Sequence, residues 1–234
     1  MAEILHNAPD NPGSVNTDNP GSSNNGSNSR SHGLSYQSGL SQKTLRQRIK
    51  DGAAVFGPFM KLASPQIMEI AGYAGFDFVT LDTEHGPLTT ETIENLVRAA
   101  ERVGITPVVR VYENSPPLIS RALDVGAQGI LVPHISSKGE AETLARAARF
   151  APEGERGVCC YVRAARFSHM DRYTYFKEAN ETTLVVAMIE GKEGIANLDE
   201  VLSVPGLDVI FVGPYDLSQS LGVPCQVTSP QVIN

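Results

Sequence analysis

The stretches TLVVAMIE (183–190) and LDVIFVGP (207–214) decide how this chain folds. Each is an apolar, largely β-branched run whose ionisable or turn-forming residues wait at its C-terminal end. A strand with one wet face alternates apolar and polar residues, whereas a strand buried on both faces of a parallel sheet does not. Working outward, the same texture recurs in AVFGPFM (54–60), FDFVTLD (76–82), ITPVVRV (105–111) and AQGILVP (127–133). Between these runs lie segments of helical period. Ser64-Pro65 and Ser115-Pro116 each offer an N-cap followed by proline at the first helical position. Ile93, Leu96, Val97, Ala100 and Val103 trace one helix face that Gly104 stops, and Gly75, Gly126 and Gly206 end neighbouring helices. Six strand–helix units in a row define an α/β fold. A doubly wound sheet is an alternative, but no glycine-rich phosphate loop follows the first strand, which favours a (β/α)8 barrel of the TIM type.

Composition narrows the function. A net charge of −7 with no large basic cluster argues against nucleic acid as a partner. No stretch of the sequence is long and apolar enough to span a membrane, and the N-terminus has neither the apolar run of a signal peptide nor the arginine-rich character of a transit peptide. A cytoplasmic location is the resulting expectation. Cys159, Cys160 and Cys225 are odd in number and lack zinc-like spacing, so they read as reduced thiols. Residues 1–40, rich in Asn, Ser, Gly and Pro, read as a disordered extension, and residues 41–234 as the barrel domain.

The polar residues fall where the strands end. Asp82-Thr83-Glu84-His85-Gly86 closes the second strand, and Arg110, His134, Glu190 and Asp216 follow at or beyond the next four. In a barrel all these ends open onto one rim, which is where active sites are built. Glu190 and Asp216 sit at adjacent strand ends. Two carboxylates that close need a positive charge between them, and oxygen ligands suit Mg²⁺ or Mn²⁺. The competing readings are a general acid/base pair or a salt bridge with Arg110. His85 is either a general base, its tautomer fixed by Asp82 or Asp124, or a hydrogen-bonded structural residue. Arg110 is placed to fork onto a carboxylate or a developing oxyanion. His134 either touches substrate or caps its strand. The basic loop carrying Arg156, Arg163 and Arg166 reads equally as a binder of an acidic acceptor and as a solvated or subunit-contact loop.

FDFVTLDTEHGP, PVVRV, ALDVGAQGILVP, ERGV, the strand ending MIE and VIFVGPYDLS occur in that order over roughly residues 44–230. Together they resemble the HpcH/HpaI aldolase/citrate lyase family of metal-dependent pyruvate-type aldolases, with a fungal macrophomate-synthase-like flavour in His134. The resemblance implies a carbon–carbon lyase that uses a divalent metal, a 2-oxo acid such as pyruvate or oxaloacetate, and an aldehyde or other acceptor, in a homo-oligomer. It implies His85 as catalytic base, made more basic by Asp124 and assisted by Asp82, and Arg110 as transition-state stabiliser. Glu190 and Asp216 would be the metal ligands, with Gly213, Tyr215 and His134 lining the substrate. Two departures stand out. Many bacterial aldolases of the family carry glutamine two residues before the metal-binding glutamate, where this chain has Met188. The family barrel has eight strands, and only six are read here, so the expectation is a barrel truncated after the sixth strand, active or inactive as it stands. A lysine-based Schiff-base aldolase would need Lys61 or Lys192, both of which read as surface residues.

Overall fold

A computed structural model describes residues 43–233. The expectation of a disordered extension over residues 1–40 lies outside them. Six strands form one all-parallel sheet in sequential order, with each strand paired to the next: β1 (Phe59–Met60), β2 (Phe78–Asp82), β3 (Thr106–Arg110), β4 (Gly129–Val132), β5 (Leu184–Ile189) and β6 (Val209–Val212). A doubly wound sheet reverses its strand order at a switch point. This one never does. It curls instead into part of a barrel, so the inward Phe59 of β1 and Phe211 of β6 bring their rings to 5.6 Å between centroids.

The crossovers follow the sequence signals. A short helix α1 (Leu45–Lys50) precedes the sheet, and α2 (Pro65–Tyr73), α3 (Thr90–Val103), α4 (Pro116–Asp124) and α5 (Lys138–Ala147) connect the first four strands and lead out of the fourth. Proline begins α2 and α4, and Gly104 ends α3 in the left-handed conformation at φ 73°. A 3-10 turn (Arg163–Ser168) and α6 (Arg172–Thr182) lead to β5, α7 (Lys192–Ala196) and α8 (Leu198–Leu202) to β6, and α9 (Pro214–Ser220) and α10 (Pro230–Ile233) follow. None of the helices among the described residues is long and apolar enough to cross a membrane. The first strand is much shorter than the expected 54–60. Pro58 has no N–H to give the ladder, and the Phe56 N–H donates instead to the Asp77 carboxylate at 2.8 Å.

Both sheet faces are buried. Val79, Leu81, Val109, Ile130, Val185, Ala187 and Ile189 pack outward under the helices. Val108, Leu131, Val186, Met188 and Val209 point into the concave face, where Leu45 and Ile49 of α1 close the N-terminal mouth. Strand alternation then carries Asp82, Arg110 and Glu190 onto the same concave side, at the opposite, C-terminal mouth.

Asp208 ties α1 to the sheet. Its side chain accepts from Arg46 Nε at 2.7 Å, from Arg149 Nη2 at 3.3 Å and from the Val185 N–H at 3.0 Å. Arg46 also donates to the Asn180 and Glu181 carbonyls at the end of α6. Burial and the neighbouring Arg46 charge lower the Arg149 pKa to about 10, so Arg149 stays charged at neutral pH beside this carboxylate. Breaking a buried ion cluster by removing one partner costs roughly 3–5 kcal/mol. Asp208→Ala is therefore expected to destabilise the protein by about that amount in urea denaturation, and a loss under 1 kcal/mol would contradict this role.

Candidate active site

At the C-terminal mouth the site is built on a buried pair. Asp82 and Arg110 are register partners on adjacent strands and face the same way. Arg110 Nε and Nη2 fork onto the two Asp82 carboxylate oxygens at 2.9 and 2.7 Å, and both side chains are almost fully buried. Burial works to raise the Asp82 carboxyl, but the Arg110 hydrogen bonds and the His85 and Glu84 backbone N–H groups outweigh it and hold it below the usual range. Those two N–H groups donate to Asp82 Oδ1 at 3.2 and 3.1 Å, folding the loop after β2 back over the pair. Arg110 also lies over the Phe59 ring, 5.0 Å from its centroid.

The folded-back loop delivers Glu84, a residue the sequence reading quoted but gave no role. Its Oε2 lies 2.9 Å from Arg110 Nη1, and its Oε1 lies 3.3 Å from His134 Nε2. The other imidazole nitrogen of His134 is 3.0 Å from Glu190 Oε1, and the His134 backbone N–H donates to that same oxygen at 2.8 Å. His134 adopts φ 57°, a left-handed conformation uncommon for a residue with a side chain. The loop around it is firmly held. Ile135 N–H donates to the Met188 carbonyl, Asn197 donates to the Ser136 carbonyl, and Glu140 accepts from both the backbone and the hydroxyl of Ser136.

Glu190 is buried at the end of β5, and burial raises its carboxyl. The His134 contacts work against that shift, while the negative charges of Asp216 and Glu84 add to it. Asp216 itself is exposed in the first turn of α9. Gly213, just before that helix, packs so closely that a Cβ there would sit 2.7 Å from Glu190 Oε2 and 2.6 Å from Met188 Cε. Met188 Sδ in turn lies 3.9 Å from Arg110 Nη1.

The sequence-predicted residues thus divide. Asp82, Arg110, His134, Glu190 and Gly213 gather at one mouth. His85 is exposed beside them, its backbone held by Asp82; its imidazole makes no hydrogen bond among the described residues. Tyr215 is also exposed. Asp124 is elsewhere, at the C-terminal end of α4 and the opposite end of the sheet, where its Oδ1 accepts from Arg156 Nη2 at 2.7 Å. Within one chain it does not orient His85. The carboxylate pair read from sequence, Glu190 with Asp216, also has closer company than expected. Ligand atoms of Glu84, His134 and Glu190 all lie within 4.8 Å of one another, whereas Asp216 is not in that group. Glu84 Oε2 is buried without a hydrogen bond despite its closeness to Arg110. An under-satisfied carboxylate oxygen beside a second buried carboxylate and an imidazole is a donor set that fits a divalent cation.

A curled parallel sheet with ionisable groups massed at its C-terminal mouth defines a protein of the (β/α)-barrel kind. Comparison with known proteins makes this specific. The family model for HpcH/HpaI aldolase/citrate lyase matches residues 56–233. The 2-keto-3-deoxy-L-rhamnonate aldolase of Escherichia coli K12 is 35% identical over 194 residues, 82% of this chain and 72% of that protein. The crystal structure of an HpcH/HpaI aldolase from Desulfitobacterium hafniense DCB-2 is 31% identical, with a TM-score of 0.77 over 82% of this chain and 74% of that one. Macrophomate synthase, at 24% identity and a TM-score of 0.68 over 77% of this chain and 64% of that one, shares the fold. The chain belongs to the HpcH/HpaI aldolase/citrate lyase family.

Two consequences are measurable. Gly213→Ala leaves no room beside Glu190, so the affinity of any divalent cation that Glu190 holds, read by calorimetry, is expected to fall at least tenfold while the circular dichroism spectrum is kept (about 1.4 kcal/mol). Unchanged binding would mean that Glu190 moves freely. Glu140 fastens the start of α5: its N–H donates to the hydroxyl of the N-cap Ser137, and its carboxylate accepts from the backbone and hydroxyl of Ser136. Burial opposes ionisation there, but the Ser136 and Ser137 hydrogen bonds prevail and depress its pKa. A depressed carboxyl contributes stability above its unfolded pKa, about 4.3, and loses it as pH falls through the folded value. Glu140→Gln should therefore cost about 1 kcal/mol at pH 7, and the gap to wild type should narrow as the pH is taken below about 4.

Proposed function

We propose that this chain is a metal-dependent carbon–carbon lyase that cleaves or forms aldols of 2-oxo acids through a pyruvate-type enolate. One observation carries the reading: the continuous array Asp82–Arg110–Glu84–His134–Glu190 at the C-terminal mouth of a family barrel. Membership in a family that contains curated aldolases supports it. The same reading takes the curled sheet as part of a (β/α)8 barrel.

Glu190 is the central ligand of the metal in this proposal, with Asp216 approaching from α9 and Glu84 and His134 within reach. A bound Mg²⁺ or Mn²⁺ would supply Lewis-acid charge at the keto and carboxylate oxygens of the 2-oxo acid. The chain's own residues do the rest. Arg110 turns a cationic edge toward the mouth and stabilises negative charge that develops on a substrate oxygen. Asp82 engages two of its nitrogens and fixes the guanidinium plane, so this charge is placed before substrate arrives. His85, exposed on the loop, takes or returns the proton of the acceptor's oxygen. Gly213 and Tyr215 line the 2-oxo acid, and Gly213 can do so because nothing projects from it toward Glu190.

A second reading within the same chemistry is favoured by Met188. Its thioether, next to Arg110, offers no amide to a substrate hydroxyl. An enolate generated by decarboxylation of oxaloacetate, as the likeness to macrophomate synthase implies, would not need one. A lysine Schiff base is less well served. Lys61 Nζ is half exposed and lies 3.5 Å from Asp82 Oδ2, a carboxylate that favours its charged, non-nucleophilic form. Turnover of 2-oxo acid aldols is expected to vanish in EDTA and return with Mg²⁺ or Mn²⁺, and borohydride with pyruvate should trap no adduct. Full activity in the chelator, or a borohydride adduct on Lys61, would overturn the proposal.

A further inference from the structure

Lys61 extends the buried pair of the mouth into a row of three. Phe59 and Met60 of β1 pair with Thr80 and Leu81 of β2, so the register carries Lys61 alongside Asp82, and Asp82 pairs with Arg110. Phe59 points inward, and alternation along the chain turns Lys61 the same way. Its Nζ comes to 3.5 Å from Asp82 Oδ2. Cation, anion and cation thus stand on successive strands at the C-terminal mouth.

Asp82 has little use for the second cation. Its two oxygens already accept from Arg110 at 2.9 and 2.7 Å, and Oδ1 accepts from two backbone N–H groups besides. The Lys61 ammonium itself donates no hydrogen bond among the described residues, and its side chain is 50% exposed. The stem, by contrast, is held. A Cβ at Gly86 would lie 3.2 Å from both Cβ and Cγ of Lys61, so the loop after β2 packs directly on the lysine through a residue without a side chain. Lysine buries its methylenes and keeps a compact charge with three rotatable donors in water. A stem fixed on one side with an ammonium free on the other suits an anion arriving from solvent.

The contacts across the mouth also say which ligand is left for it. They run from Lys61 to Asp82, Arg110, Glu84, His134 and finally Glu190. The metal and the 2-oxo acid are assigned to the Glu190 end, and Arg110 is engaged by carboxylates on both sides. Lys61 ends the array with no protein partner of its own, and the acceptor is the one reactant without a charged group to meet it.

We infer that Lys61 is a substrate-binding residue for the acceptor, and that the favoured acceptor is an aldehyde bearing a carboxylate or a phosphate. This rests on the lyase reading above and names its second substrate by class. The ammonium engages the anionic group and holds the aldehyde in the mouth, whereas a neutral aldehyde finds no partner there.

Two measurements on the whole protein separate this inference from its foundation. Exchange of the pyruvate methyl protons in heavy water with Mg²⁺, followed by proton NMR, needs no acceptor and reports the enolate alone. Condensation with pyruvate is then compared, at constant ionic strength, for 4-oxobutanoate against butanal and for glyceraldehyde 3-phosphate against glyceraldehyde. A hydrogen bond to a charged group is strong enough that the charged member of at least one pair should be favoured about tenfold or more in kcat/KM, chiefly through KM. Preference in the first pair assigns a carboxylate, and in the second a phosphate. In Lys61→Ala and Lys61→Gln the ratio should fall toward one with the thermal unfolding midpoint kept, and Lys61→Arg should restore most of it. A lysine that only steadied Asp82 would slow both members of a pair together and leave the ratio standing. A ratio that survives in both variants, or exchange in the wild type with no charged preference, would overturn this inference alone. No exchange in the wild type would remove the lyase reading and this inference with it.

Discussion

The Asp82–Arg110 fork is the constraint on which the catalytic mouth depends. An aspartate and an arginine buried at the ends of adjacent strands pay a desolvation cost that their mutual attraction repays only with good geometry. Parallel register supplies that geometry, because Asp82 and Arg110 are partners in the ladder and share a face. Everything above them is referred to this pair. The loop after β2 hangs its backbone N–H groups on Asp82, that loop places Glu84, and Glu84 spans from Arg110 to His134. A buried pair of this kind is weak evidence for stability. Its use here is positional, since it fixes where one cationic edge and two carboxylates meet.

The strands and their order were legible because burial on both faces removes alternation, and six such runs leave few topologies to consider. The rim was legible for a related reason: an ionisable residue ending an apolar strand, such as Arg110 after two valines or Glu190 after Ile189, is dragged to one mouth by the fold itself. Glu84 was hidden. It sits in a loop, two residues past the strand, and only the backbone hydrogen bonds to Asp82 turn it inward. Asp124 shows the reverse. Family likeness linked it to His85, yet it ends a helix that runs away from the mouth, and within the chain its carboxylate belongs to Arg156. Sequence spacing records the element on which a residue sits, and says little about a partner brought from another element by a loop.

His134 illustrates how the fold stores strain at the mouth. Its left-handed backbone turns the N–H toward Glu190 Oε1, and its ring meets the same oxygen. Without that turn the loop would pass Glu190 in an extended conformation, and the buried carboxylate would keep neither contact. Held as it is, Glu190 still has a raised pKa, because two backbone and ring contacts do not offset burial beside Glu84 and Asp216. The mouth is therefore negative in excess of its own cations. That imbalance, more than any one ligand distance, is what argues for a divalent ion there.

The two ends of the sheet carry different sets of ionisable groups for reasons that lie in the chain's topology. Carboxylates gather where strands end, whereas the arginines of the other end meet their carboxylate partners near helix C-termini: Arg163 pairs with Glu101 in the last turn of α3, and Arg156 with Asp124 at the end of α4. A parallel barrel points every helix C-terminus, the negative pole of its dipole, toward the N-terminal face of the sheet. Cations are favoured at that face before any ligand is considered. The apolar interior between the faces, from Val108 through Leu131 to Val186, keeps the two sets from neutralising one another. One scaffold thus holds a carboxylate-rich mouth at one end and, at the other, arginines paired with Glu94, Glu101 and Asp124, each set by local geometry.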